Sequence, residues 1–244
     1  MEIFRFLEDH GVDTSDIDGL LRSAIYEDWA SLARLMFERG AELERSDHWG
    51  RTPLLVAVED GAMRVLEALL EMGADPFVHD EQDRSALHLA AEESHAEVLR
   101  LLLRLGLDVN HAEKYGETPL HVVDRSADRK PWRPAMHCRL TNRLLLKHGA
   151  DIEARDGQNV TPLGSAADRS RPVFLDDLIR TGAKLNVPGV CGRTPLMLAI
   201  VFRKRDNVSR LIQAGADIHI EDEFGETALD YAADIPEIAN LFMR

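Results

Sequence analysis

Asp47-His48-Trp49-Gly50-Arg51-Thr52-Pro53-Leu54-Leu55-Val56-Ala57-Val58 contains the local rules by which the whole chain is built. Gly50 suits a turn position with positive φ. Thr52 is an N-cap whose hydroxyl can accept from an unpaired N–H of the first helical turn. Pro53 follows at the first helical position, where its missing N–H costs nothing. Leu54, Ala57 and Val58 give a short helix one small apolar face. Gly61 breaks that helix, and Val65, Leu66, Leu69 and Leu70 are spaced to bury the stripe of a second one. Gly73 closes the second helix as a left-handed C-terminal residue, and Asp75-Pro76 leads toward the next turn.

The phrase returns. Thr-Pro-Leu stands at residues 52, 118, 161 and 194, with weakened copies at Ser85-Ala86-Leu87 and Thr227-Ala228-Leu229. The steps between successive copies are 33, 33, 43, 33 and 33 residues, a period that marks stacked units none of which buries its apolar face alone. Ala90-Ala91, Ala166-Ala167 and Ala199 fill the positions where helices approach closely, and Gly106, Gly149, Gly182 and Gly215 fall at the ends of second helices.

With Thr118-Pro119-Leu120-His121 followed by Gly149-Ala150-Asp151, the chain resembles the ankyrin-repeat family from about residue 19 to 244. The resemblance implies an all-α repeat solenoid of helix-turn-helix units joined by β-turn or hairpin loops. The units divide as a capping half repeat (1–18), a capping repeat 1 (19–46) and repeats 2 (47–79), 3 (80–112) and 4 (113–155). Repeats 5 (156–188) and 6 (189–220) and a C-terminal capping repeat (221–244) follow. In the first cap, Ile3-Phe4 and Phe6-Leu7 read as a lone second helix; in the last, a short second helix is expected over Ile238 to Met243. Asp83 and Asn159 replace the turn glycine, being types that tolerate left-handed backbone.

The formal charge of -14 is unevenly placed. Residues 1–124 carry 11 Lys/Arg against 27 Asp/Glu, a net of -16, whereas residues 125–244 carry 18 against 16. An acidic half repels phosphate backbones, so nucleic acid is excluded as a general partner and a basic protein is favoured. No apolar run approaches a membrane span of roughly 20 residues, and the N-terminus lacks the order of a signal peptide. The expected location is cytoplasmic, where the distant Cys138 and Cys191 stay reduced.

The 43-residue step inserts ten residues between the helices of repeat 4, at about 125–136. Pro131 and Pro134 make this stretch a loop. It is basic, and Arg129, Trp132 and Arg133 are of types favoured at interfaces.

Family geometry implies a concave face built from turn tips and the ends of first helices. There, Trp49, Tyr115 and Phe224 at tips are candidate anchors, because large aromatics bury much area while losing few rotors. Arg51, Arg84 and Lys114 flank the tips. Glu59, Asp60, Glu92 and Glu93 are expected to line an acidic stripe, with Phe202 on an apolar C-terminal side. The expected function is non-enzymatic binding of a basic protein, as an inhibitor or immunity protein of a toxin or enzyme. The alternative is an adaptor, or an effector docking on host proteins, that works through the apolar side and the Trp132 loop. The chain is expected to be monomeric when free.

Chemical motifs fail on inspection. His88 and His121 take the fourth place of Thr-Pro-Leu-His, where the family uses histidine to join neighbouring units. His137-Cys138 are adjacent rather than spaced as metal ligands. Asp13 to Gly19 suggests a calcium loop, but Ile25 stands where the bidentate acid belongs. Ser165 lacks the second glycine of a nucleophile elbow. No catalytic residue, cofactor or metal is expected.

Overall fold

The computed structural model describes residues 16–128, 135–170 and 172–242. It forms two compact units, one from Met1–Ala90 with Glu97–Leu107 and the other from Ala91–Ala96 with Asp108–Arg244.

In the first unit the helices come in pairs: α1 (Ile17–Tyr26) with α2 (Ala30–Glu38), and α3 (Pro53–Asp60) with α4 (Met63–Glu71). α5 (Ala86–Glu92) and α6 (Ala96–Arg104) follow, apart from the Ala91–Ala96 stretch that joins them. Thr52 Oγ1 accepts from the N–H of Leu55 at 3.4 Å, and Gly61 ends α3 in the left-handed region at φ 74°. Helices of eight and nine residues do not persist alone in water, so packing must hold them. Leu54, Leu55, Ala57 and Val58 of α3 and Val65, Leu66, Ala68 and Leu69 of α4 are buried, each large side chain contributing about 1.5–3 kcal/mol. First helices stack on first helices (α1 on α3) and second on second (α2 on α4).

The second unit continues with α7 (Pro119–Val122), a 3₁₀ turn (Arg125–Asp128), α8 (Ala135–Lys147), α9 (Pro162–Ala167) and α10 (Val173–Arg180). A 3₁₀ turn at Val190–Gly192 then precedes α11 (Pro195–Val201), α12 (Arg205–Gln213), α13 (Ala228–Ala233) and α14 (Pro236–Ala239). Here α7, α9, α11 and α13 stack in series, and α8 lies on α10. Turn tips are joined by backbone hydrogen bonds: Tyr115 O accepts from Gly157 N at 2.7 Å, and Cys191 O from Glu223 N at 3.1 Å. Asp83 and Asn159 both take φ 63°, as their place at the turn requires.

His121 performs the joining role that the resemblance implied. Its Nδ1 accepts from Thr118 N at 3.1 Å, and its Nε2 faces Val160 O of the next repeat at 3.1 Å. Burial lowers its pKa, outweighing the bond to Val160, so the ring is neutral and Nε2 carries the proton.

Two expectations need correction. The inserted stretch is not wholly loop: it supplies the 3₁₀ turn, and α8 runs to 13 residues where α4, α6 and α12 have nine. The last second helix is Pro236–Ala239 rather than one reaching Met243, because Pro236 fixes its start and one turn suffices to bury Ile238. The helix expected over Ile3 to Leu7 lies outside the described residues.

Candidate functional site

The turns that open repeats 2 to 5 and the C-terminal cap are organised by a carboxylate, at Asp47, Asp80, Glu113, Asp156 and Asp222, whereas repeat 6 opens on Gly189. Asp47 Oδ1 accepts from the N–H of Trp49 at 2.9 Å and of Arg51 at 3.0 Å, which fixes the turn that carries Trp49. Arg51 closes back onto Asp47 Oδ2 at 2.8 Å and also pairs with Glu59 at the far end of α3. Its guanidinium carbon lies 4.5 Å from the centroid of the Trp49 ring. Burial alone would raise the Asp47 pKa, but the bonds from Arg51 and from the backbone of Arg51 and Trp49 hold it below 3.8. Trp49 is therefore 52% exposed yet braced on one face.

The same frame recurs with other charges. Asp80 Oδ1 takes the N–H groups of Gln82 and Arg84, and Arg84 Nε reaches Asp80 Oδ2 at 2.7 Å. In repeat 4, Glu113 takes the N–H groups of Tyr115 and Glu117, and here Glu117 pairs with Arg125, the reverse of Arg51 with Glu59. Tyr115 and Phe224 are exposed at their tips, as is Phe202 at the end of α11. Lys114 is exposed beside Tyr115.

The acidic positions are less uniform than expected. Asp60 is exposed and Glu92 half-buried, but Glu59 is engaged by Arg51. Glu93 is a correction: it is buried, 6% exposed, because the Ala91–Ala96 stretch that carries it packs within the second unit, where Ala91 O accepts from Asp124 N at 3.1 Å. It does not line an exposed stripe. Arg129, Trp132 and Arg133 lie outside the described residues.

One residue escaped the sequence reading altogether. Arg169, just past the end of α9, is buried and donates to the carbonyls of His121 and Val123. Those carbonyls are free because α7 ends after Val122, where Val123 leaves the helix at ψ 128° and Asp124 takes φ 60°. Burial lowers the pKa of Arg169, and the charge is held by these carbonyls and by the face of Phe174, 5.4 Å away. The signal lay in Asp124, an acid where the other first helices have Val58, Ala91, Ala167 and Ile200.

A family profile described as ankyrin repeats (3 copies) matches residues 64–128, and profiles described as a single ankyrin repeat match residues 49–78 and 191–223. The chain is an ankyrin-repeat protein. Its fold aligns over 92% of its length with 98% of the ankyrin repeat domain of Bcl-3, a member of the IkappaB protein family, at TM-score 0.68 and 27% identity. It aligns likewise over 91% with 96% of the human ASB11 ankyrin repeat domain at TM-score 0.74 and 22% identity, a likeness of fold alone. Among curated proteins it is 32% identical over 130 residues to neurogenic locus notch homolog protein 1 of Xenopus laevis. It is 33% identical over 92 residues to the E3 ubiquitin-protein ligase KEG of Arabidopsis thaliana. The matches cover 53% and 37% of this chain, but only 5% and 6% of those much longer proteins. As an ankyrin-repeat array, the chain has the architecture of a protein–protein interaction module. Among the described residues, no helix is long and apolar enough to cross a membrane.

Proposed function

We propose that this ankyrin-repeat chain binds a protein with a basic surface, using the turn tips and first-helix ends of its acidic half. Trp49 carries the reading: it is an exposed aromatic immobilised in advance by Arg51, within a half of net charge -16 (11 against 27). An anchor braced before binding loses little entropy on association, and an acidic surround speeds encounter with a basic partner. Tyr26, 75% exposed, with Glu27 and Asp60, supplies the same chemistry at the ends of α1 and α3. A toxin or enzyme whose basic working surface is covered in this way is inhibited.

Affinity capture with the wild-type chain and with Trp49→Ala tests the reading. The expected partner is basic, is lost on Trp49→Ala, and associates more slowly as salt rises. Salt-insensitive binding, or capture unchanged by Trp49→Ala, would overturn it. Assaying the captured partner's activity with and without the chain then tests inhibition.

A second reading, an adaptor, is favoured by exposed Phe202 and Phe224 at 52% and 67%. Its partner would be lost on Phe202→Ala/Phe224→Ala and kept on Trp49→Ala.

A further inference from the structure

The opening carboxylates of the repeats share one use of the first oxygen but differ in the second. Asp47 Oδ2 receives Arg51 Nε at 3.0 Å and Nη2 at 2.8 Å, and Asp80 Oδ2 receives Arg84 Nε at 2.7 Å. Asp222 Oδ2 accepts from Tyr231 OH at 2.6 Å, with Arg193 Nε 3.8 Å away. Asp156 begins in the same way: its Oδ1 accepts from Gln158 N at 2.9 Å and Val160 N at 2.8 Å. Yet Val160 stands where repeats 2 and 3 place their arginine. Among the described residues, no cation or hydroxyl meets Asp156 Oδ2.

Asp156 is among the residues that line a cleft of about 440 Å³ within the second unit, together with Asp168, Val160, Ser165, Leu198 and Phe202. Gly164-Ser165 make the room, since the corresponding pairs in repeats 2, 3, 4 and 6 are Leu55-Val56, His88-Leu89, His121-Val122 and Met197-Leu198. A Cβ on Gly164 would come within 2.7 Å of Val160 Cγ1, so Val160 already occupies the nearest part of the vacated space. The cleft's own cations are committed, Arg125 to Glu117 and Arg169 to two backbone carbonyls. What remains is an unanswered carboxylate beside Val160 and Leu198, with half-exposed Phe202 on the cleft wall.

We propose that this cleft takes an arginine side chain of a partner protein, which supplies to Asp156 in trans what Arg51 and Arg84 supply to Asp47 and Asp80 within their own repeats. The aliphatic stem lies on Val160 and Leu198, the guanidinium reaches Asp156, and its flat face covers Phe202. Arginine fits better than lysine because its planar fork pairs with a carboxylate and stacks on a ring at once. The inference rests on the basic-partner reading above and assigns it a second, separate contact.

The test is a phage-displayed random dodecapeptide library selected on the full chain, with the selected peptides titrated against variants. Asp156→Asn keeps the turn, because the amide oxygen can accept the same two N–H groups, but removes the charge. Val160→Arg restores the arginine that the other repeats use, and Ser165→Leu fills the cleft with a residue found at that position in repeat 3. Arginine-containing peptides are expected to dominate. Their affinity should fall about tenfold or more on Asp156→Asn, and as far on Val160→Arg and Ser165→Leu, with no change on Trp49→Ala. Should either of the latter two unfold, Asp156→Asn alone decides. Basic peptides that bind wild type and Asp156→Asn equally overturn the cleft and leave the basic-partner reading standing. A preference for lysine over arginine overturns the choice of side chain. A selection that yields no basic peptide overturns both readings.

Discussion

Repeats 2 and 4 are written in the same phrase and solve the same problem in opposite ways. In repeat 2 the first helix runs its full eight residues from Pro53 to Asp60 and ends on Gly61, and the fourth place of its Thr-Pro-Leu phrase is a buried Leu55. Nothing polar is stranded. In repeat 4 the first helix stops after four residues, and the fourth place of its phrase is His121. The ten inserted residues thus have a cost in the stack, namely carbonyls that no longer have helical partners. Arg169, one repeat further on, satisfies them, and Asn207 in α12 does the same for repeat 5 by donating to Ala167 O at 3.0 Å and Arg169 O at 2.8 Å. Repeat 2 is held by apolar area. Repeat 4 also buries Leu120, Val122, Val123 and Leu145, but adds a buried cation to satisfy the carbonyls that its short first helix leaves over.

The sharpest way to break this contrast is to remove Arg169. Arg169→Ala leaves the carbonyls of His121 and Val123 buried without donors, and a loss of about 3 kcal/mol in urea unfolding is expected. An unchanged midpoint would mean that water takes over both carbonyls and that repeat 4 does not depend on Arg169. His121→Leu, which gives repeat 4 the fourth residue of repeat 2, should cost about 2 kcal/mol. It deprives Val160 O and Thr118 N–H of their partner.

The same histidine ties stability to pH. Its folded pKa is depressed below 6.5, so below that value the unfolded chain binds the proton more readily than the folded one. Its contribution is complete above about pH 6.5 and is lost as pH falls toward the folded pKa. Urea midpoints measured from pH 7.5 down to 5.5 should decline in the wild type, and less steeply in His121→Leu. Equal slopes would show that His121 is not the titrating group.

How much of this could be read beforehand depended on range. Thr52, Pro53, Gly61 and Gly73 act within a few residues of themselves, and the sequence pattern placed them correctly. His121 was readable because the family phrase marks its position. Glu93 and Arg169 were not, since a charged residue at a helix end is ordinarily solvated, and their burial follows from neighbours stacked against them. Arg169 answers carbonyls 46 and 48 residues away, freed by a helix that ends early. Asp156 was invisible for the opposite reason. Its distinction is an apolar Val160 where repeats 2 and 3 have arginine, which matters only once the turn geometry shows what arginine does there.

The smallest expected effect separates the two repeats most finely. Arg51–Glu59 and Glu117–Arg125 join the same positions with opposite polarity, but only Arg51 has a second carboxylate, Asp47, to hold. Exchanging the charges as Arg51→Glu/Glu59→Arg keeps the long pair but sets two acids four residues apart at the turn, with an expected loss of about 1 kcal/mol. Glu117→Arg/Arg125→Glu does the reverse, placing an arginine four residues after Glu113, as Arg51 stands after Asp47. That variant should be as stable as the wild type or about 0.5 kcal/mol more so. Guanidinium denaturation would mask such electrostatics, so urea at low salt is the measurement. If both exchanges behave alike, polarity is arbitrary and the opening carboxylate does no more than shape the turn.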